Sequence, residues 1–506
     1  MPLKTDRRLL AEYAVLLLIL VGVPLACAWL GGYDEVLRDV FTIVPQTDDW
    51  QSRPEMLWNC RRPFRWWAFF LVGGVGSAMV APFVVRFLSS LRRVSNSNTQ
   101  TPKNSNTVHS FPLWGWLGVA VMLLGWILAW NRFEFVAPVQ RFTYIPQWMG
   151  LIVALNALVY RRTGRSPLTH ETKSYLTLFP VSAAFWWFFE YLNRYVWNWF
   201  YVGVPGISAC EYAVFATLCF ASVLPGVTAV AAWLNTFAAF RDANYAGMAK
   251  VNVRSRTSMT VMTALTLVGL VGIVFIPQLT YPLLWISPLM GFVLLQVWWR
   301  EPSVLDQLAE GNWGTVFRFA VAALVCGLAW ETWNYYSLAK WIYSVPYAHR
   351  FLVWEMPIMG FAGYLPFGLE CAALAAWVDA GFVACMGHGT HGTHETHATG
   401  AAVFERLLRA TARRHDLVCV PVSDPAESEL PDVGLVELED PESGELVLVD
   451  TSSKAVRGAF AAKAETERED LRTFFLKTGI DTMNVQTDRP YINEVRGLFK
   501  RRARKR

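Results

Sequence analysis

The sequence predicts an all-α polytopic membrane protein carrying a small, incomplete α/β segment at its C-terminal end. Three observations predict it. Hydrophobic residues make up 54% of the 506-residue chain and charged residues only 17%, too little charge to cover a soluble protein of this size. The charge is also concentrated: residues 400–506 hold 37 of the 85 charged side chains. The remaining, sparsely charged part is divided into apolar runs of roughly 20 residues, each able to cross a bilayer core of about 30 Å.

Ten spans are expected, at 9–30, 66–88, 112–131, 144–160, 174–192, 208–235, 257–277, 279–299, 314–334 and 353–382. Lys4, Arg7 and Arg8 precede the first run, as in a signal peptide, but the run is long for one, and a retained helix is expected. With the N-terminus inside, the inside segments collect 15 Lys and Arg and the outside loops 10. The positive-inside rule then places both termini on the cytoplasmic face of a bacterial inner membrane.

Residues 1–90 carry two leading helices, and 91–111 form a loop whose centre, SNSNTQTPKNSNTVHS (Ser95–Ser110), is polar, low in complexity and expected to be disordered. Residues 112–235 and 257–382 each carry four helices and resemble one another. FFEYLNRYVWNWFYVGVP (Phe188–Pro205) matches AWETWNYYSLAKWIYSVP (Ala329–Pro346) in an E-x-x-N, a W-x-Y and a closing Pro. Glu211 and Glu355 follow, then Trp233 and Trp377, each in an Ala-Ala-Trp, with Leu-Pro breaks at Pro225 and Pro366. An even number of helices per unit makes these parallel repeats, related by an axis along the membrane normal as in one class of transporter.

The duplication places Glu190, Glu211, Glu331 and Glu355 near one level, toward the outer face. Asn193 and Asn334 share a helical face with Glu190 and Glu331. Glu370 lies deeper. Ionisable groups inside a membrane are costly and face a cavity or a partner. Two readings stay open. In the structural one, the Glu sit at headgroup level in water, Asn caps a frayed turn, and Trp and Tyr form the interfacial belt. In the functional one, these seven residues form a site. A neutral Glu could protonate a C=C bond or allylic leaving group of an isoprenoid-type lipid, with Trp186, Trp187, Trp330 and Trp333 stabilising the carbocation. Alternatively the carboxylates bind a proton or cation and couple it to solute movement, Pro225 and Pro366 marking interrupted helices.

Residues 385–400 read CMGHGTHGTHETHATG, with His388, His391, His394 and His397 at every third position. Such a run can hold a divalent metal, and it equally suits a flexible linker. No resident cofactor is expected, and any metal bound there is adventitious. The eight Cys are scattered with no C-x-x-C, so neither a disulfide framework nor a zinc knuckle is implied.

From 401 to 506 the pattern is α/β: a helix (Ala401–Arg414), a strand (Leu417–Val422), and two strands (Val433–Glu439, Glu445–Val449) around a Pro441–Gly444 turn. A long helix (Ser453–Lys477), a strand (Ile480–Val485) and a basic helix (Pro490–Lys505) follow. ARRHDLVCVPVSDPAESELPDVGLVELEDPESGELVLVDTSS (Ala412–Ser453) and the closing TDRPYINEVRGLFKRRARKR resemble the end of a bacterial family of unknown function with a von Willebrand A-like domain. The resemblance covers about one fifth of the chain. It implies a membrane-anchored protein associated with a MoxR-type AAA+ ATPase. The front half of such a domain carries a D-x-S-x-S metal-adhesion motif. This chain has none, and Asp450-Thr451-Ser452-Ser453 is not one, so metal-dependent adhesion is not implied and the sheet is incomplete.

Three functions fit: an intramembrane acid-catalysed enzyme on an apolar isoprenoid-type lipid, a proton- or cation-coupled small-solute transporter, or a membrane scaffold working with a MoxR-type ATPase. Membrane lipids and that ATPase are the expected partners. A net charge of +5 is too small to argue for nucleic acid. The absence of G-x-x-x-x-G-K-[ST] argues against nucleotide-driven work by this chain alone.

Overall fold

A computed structural model describes residues 15, 18–34, 37, 63–97, 109–203, 206–386, 408, 417–425, 429–439, 446–478 and 480–505. The chain divides into two compact units, Met1–Met386 and Gly387–Arg506. The His-rich stretch from 387 onward, most of Ser95–Ser110 and all but Leu408 of the expected helix Ala401–Arg414 lie outside the described residues.

The first unit is helical: α1 (Val23–Leu30), α2 (Trp66–Ser97), α3 (Leu113–Trp130), α4 (Tyr144–Thr163), α5 (Thr172–Val196), α6 (Ala209–Phe220), α7 (Val223–Asn235), α8 (Arg256–Phe275), α9 (Ser287–Trp299), α10 (Gly314–Tyr336) and α11 (Tyr364–Met386). Among the described residues seven stretches are long and apolar enough to cross a membrane: Trp66–Arg92, Leu113–Trp130, Gln140–Thr163, Ala209–Asn235, Arg256–Phe275, Gly314–Tyr336 and Ile358–Val378. Pro277–Trp285 and Ser287–Trp299, bent by 50°, make an eighth if counted as one span.

Among the described residues eight of the ten expected spans are thus matched, counting the bent pair as one. Of the first, the described part is the short apolar helix Leu18–Leu30. The span expected at 174–192 is indeed a helix, α5, but it is internal. It buries Ser182, Glu190, Asn193 and Arg194 against protein, so its hydropathy is not that of a lipid-facing segment. By contrast α2 is peripheral, with Phe70, Leu71, Val75, Met79, Val85 and Leu88 exposed, a face suited to lipid.

The main core is built from α4, α5, α7, α10 and α11, around Trp148, Phe189, Leu224, Trp330 and Phe367. Helices α3 and α4 touch through small residues. A Cβ on Gly150 would sit 2.5 Å from the Met122 nitrogen and 2.6 Å from the Gly118 oxygen, so only glycine permits that backbone approach.

The span 208–235 is interrupted at Ala221–Ser222, between α6 and α7. Ser182 on α5 bridges the break: its hydroxyl donates to the Phe220 carbonyl (2.6 Å) and accepts from the Leu224 amide (2.9 Å). Backbone groups freed by the break are thereby satisfied, as an apolar setting requires. Helix α11 begins in a comparable way, after a tight 3-10 stretch, Ile358–Gly363. Pro225 and Pro366 are each the third residue of their helix, where the missing N–H has no helical partner to lose. The interruptions thus fall just before the prolines.

Two short strands lie between the helices, β1 (Trp199–Val202) after α5 and β2 (Lys340–Tyr343) after α10. They pair antiparallel. A second small pairing, β3 (Leu352–Val353) with β4 (Met356–Pro357), precedes α11.

The second unit is α/β. Strands β5 (Val418–Cys419) and β6 (Val422–Ser423) run parallel to β9 (Asp481–Thr482) and β10 (Val485–Gln486) respectively. Strands β7 (Leu435–Glu439) and β8 (Leu446–Asp450) form a hairpin. Helix α12 (Lys454–Thr478) makes the crossover that parallel pairing requires. Phe474, Phe475 and Ile480 pack with Leu417 and Cys419 in a small core. Helix α13 (Ile492–Lys505) closes the unit, tied by Arg502 to Asp481 at 2.9 Å. Each long strand expected at 417–422 and 480–485 is thus two short ones.

Candidate functional site

The site is built on the β1–β2 pair. Its register sets Trp199 opposite Tyr343 and Tyr201 opposite Trp341. Alternate residues of a strand share a face, so these four rings lie on one side of the pair. Phe200 and Ile342 occupy the other side and pack with Trp197.

Two buried carboxyl groups receive the polar edges of those rings. Glu190 Oε1 accepts from Tyr201 Oη (2.6 Å), Trp199 Nε1 (2.9 Å) and Trp186 Nε1 (3.2 Å). Glu331 Oε1 accepts from Tyr343 Oη (2.6 Å), Tyr364 Oη (3.1 Å) and Trp341 Nε1 (3.4 Å). Trp341 Nε1 also reaches Tyr343 Oη at 2.6 Å. Glu331 Oε2 is buried with no hydrogen-bond partner. Burial first, and then the facing carboxyl, push the Tyr201 and Tyr343 hydroxyls well above the ordinary phenol range, so both stay protonated as donors.

The two asparagines fasten each strand to its helix. Asn193 Nδ2 donates to the Trp199 carbonyl (2.9 Å) and its Oδ1 accepts from the Asn198 amide (2.8 Å). Asn334 Nδ2 donates to the Trp341 carbonyl (2.7 Å) and its Oδ1 accepts from the Trp341 amide (2.8 Å). The E-x-x-N spacing therefore places an acceptor for the rings and a clamp for the strand one helical turn apart. The second connection is one residue longer. Helix α5 ends on Trp197 in the left-handed region (φ 52°), whereas α10 ends on an extended Ser337.

An apolar cavity of about 140 Å³ lies against this face. All six ring donors line it, joined by Tyr144, Trp285, Trp330 and Phe367. Phe220 and Val223, on either side of the α6–α7 break, and Gly363 and Tyr364, where α11 begins, complete one wall. The carboxyl groups themselves stand behind the rings. Lys340 is the basic residue lining the cavity, and its ammonium is held by Glu355 at 2.5 Å.

The other expected site residues are placed differently. Glu211 is exposed and closes a capping box at the start of α6, accepting from the Ser208 amide and hydroxyl, both at 2.9 Å. Glu355 is the partner of Lys340. Glu370 is buried on α11 beside the Leu289 backbone, with neither carboxyl oxygen in a hydrogen bond. Trp186 and Trp330 face the cavity, while Trp187 donates to Thr217 and Trp333 packs on Trp148. His388, His391, His394 and His397 lie outside the described residues. No group of three potential metal ligands occurs among the described ones. Sequence reasoning gave no role to Tyr201, Tyr343 or Tyr364. The W-x-Y alternation signals the first two, because it puts both polar edges on one strand face. Tyr364 comes from another helix and has no such signal.

A family match falls within the second unit. The model of a family described as "Protein of unknown function DUF58" matches residues 399–470. An uncharacterised protein of Mycobacterium tuberculosis and one of Mycobacterium bovis are each 38% identical over 90 residues, 18% of this chain and 28% of theirs. An uncharacterised protein of Mycobacterium avium is 33% identical over 105 residues, 21% of this chain and 62% of its own length. The chain therefore spans less than two thirds of the relatives it matches. No solved structure matches.

Proposed function

We propose that the membrane unit is an intramembrane enzyme that holds an isoprenoid-type lipid in the aromatic cavity and stabilises positive charge developing on it. One observation carries this reading: six ring donors line an apolar cavity, and each turns its polar edge to a buried carboxyl behind the wall. Aromatic side chains lining an apolar cavity are the kind of surface that carbocation chemistry uses. In this reading Glu190 and Glu331 are positioning residues that act through the rings. Asn193 and Asn334 hold the strands. Glu211 serves the fold alone, and Glu370 stands apart from the cavity.

A transporter is the second reading, supported by the helix interruptions at Phe220–Val223 and Gly363–Tyr364, which meet at the cavity. Both readings place two duplicated four-helix units, 112–235 and 257–382, around one central site. The equivalent hydrogen bonds of the Glu190 and Glu331 sites support that duplication. For the second unit we propose a cytoplasmic docking role toward a MoxR-type ATPase, on an incomplete von Willebrand A-like fold. The family match and the parallel β5–β9 and β6–β10 pairs support it.

The test is mass spectrometry of lipids that co-purify with the full chain, beside Ala216→Phe, which fills the cavity from α6. An isoprenoid enriched with the wild type and lost from Ala216→Phe is expected. The same lipid profile in both would remove the cavity from consideration.

A further inference from the structure

We infer that α13, the basic helix that closes the second unit, is a membrane-surface element that lays its apolar side into the headgroup region of an anionic bilayer. The inference goes beyond the reading above and does not depend on the cavity.

Two faces of α13 have different tasks. Leu498 is buried, and Arg502 is tied to Asp481 at 2.9 Å. They stand four residues apart, so this face fastens the helix to its own unit. Ile492 and Phe499 stand seven apart, two turns along another face. Both are exposed, Phe499 at 65%, and Tyr491, just before the helix, is exposed at 63%. Leaving such a stripe in water forgoes the free energy of burying it.

The charge beside the stripe is of one sign. Arg496 and Lys500 are exposed and flank it, and neither is in an ion pair among the described residues. The helix sequence INEVRGLFKRRARK holds six Lys and Arg against Glu494 alone. Its net charge of +5 equals that of the whole chain, so the excess positive charge sits here. An apolar stripe bordered by cations is complementary to a surface that offers hydrocarbon beneath negative charge, which an anionic bilayer does. A nucleic acid would use the cations and leave Ile492 in water. The first unit supplies, among the described residues, seven stretches able to cross a membrane. The second unit is therefore tethered to a bilayer by its own chain, which raises the effective concentration of that surface.

The test uses the full chain in nanodiscs, with the photo-crosslinking residue benzoylphenylalanine replacing Phe499 or, away from the stripe, the exposed Glu494. Mass spectrometry reads covalent lipid adducts. In phosphatidylcholine discs containing phosphatidylglycerol, the adduct at 499 is expected to exceed that at 494 at least about tenfold. Discs of phosphatidylcholine alone should give about tenfold less adduct at 499, the order expected for two cations drawn to anionic headgroups. Arg496→Gln combined with Lys500→Gln should lower it similarly in the anionic discs, and high salt should do so with no further substitution. No adduct at 499, equal adducts at 499 and 494, or equal yields at 499 in the two kinds of disc overturn the inference. A crosslink from 499 to a second protein in native membranes, or to another part of this chain, overturns it as well, because something other than lipid then covers the stripe.

Discussion

The two carboxyl sites are alike in their hydrogen bonds and unlike in their surroundings. Each Glu takes a Trp and a Tyr from the strand that follows its helix, and each Asn clamps that strand. Their third donors differ. Glu190 uses Trp186 from its own helix, so its site is completed within one segment of chain. Glu331 uses Tyr364 from α11. Glu190 has Arg194 nearby, whereas Glu331 has Glu355. The same local pattern therefore yields one site with a basic neighbour and one with an acidic neighbour. A repeated motif preserves what its own residues supply; long-range neighbours decide what each copy does.

The comparison can be broken at several points. The largest expected effect is at the end of β1. Gly203 has φ 76°, and a Cβ there would meet the Leu338 carbonyl oxygen at 1.8 Å. Gly203→Ala should leave little monodisperse protein on size-exclusion chromatography. The matching position after β2 is Ser344, buried with its hydroxyl unpaired, and Ser344→Ala should be close to neutral.

Next come Glu190→Leu and Glu331→Leu. Each strands three donors, so each should lower apparent stability by about 3 kcal/mol or more in detergent-solubilised thermal unfolding. The glutamine variants sharpen the contrast, because their signs should differ. Glu190→Gln leaves Arg194 buried without its counter-charge and should destabilise by about 1–3 kcal/mol. Glu331→Gln keeps an acceptor for the rings and removes a carboxyl whose charged neighbour is Glu355, so it should be neutral or stabilising. If both move in the same direction by the same amount, the electrostatic difference between the sites is not real.

Asn193→Ala and Asn334→Ala should each cost about 2 kcal/mol, for two lost buried hydrogen bonds. A large inequality between them would show that the clamps are not equivalent. The smallest effect is expected for Glu211→Ala, a capping-box residue at an exposed helix start. A shift in melting temperature as large as that of Asn193→Ala would place Glu211 in the site after all.

Much of this was legible in the sequence, and the failures have physical causes. E-x-x-N and W-x-Y are local patterns, and they mark eight of the residues that meet at the carboxyl sites. Hydropathy located α2, α3 and α8, which are long and apolar enough to cross a membrane. It says less about α5, a helix that buries Glu190, Asn193 and Arg194 against protein and falls short of the hydropathy of the other spans. Glu211 was grouped with the other carboxylates by spacing alone, whereas the Ser208-x-x-Glu211 capping box was the nearer explanation. Tyr364 and Lys340 reach the site through tertiary contacts, which no local spacing encodes. In the second unit the order of elements was legible, but the division of the parallel strands into short pieces was not.

The pairing of β1 with β2 also has a consequence for how the chain is made. The two strands are separated by everything from α6 through α10. Until β2 has emerged from the ribosome, β1 has an open edge of unpaired amides and carbonyls within an otherwise apolar assembly, where such groups are expensive. The first half of the membrane unit is thus a transient client, unable to seal itself. Its maturation waits on the second half.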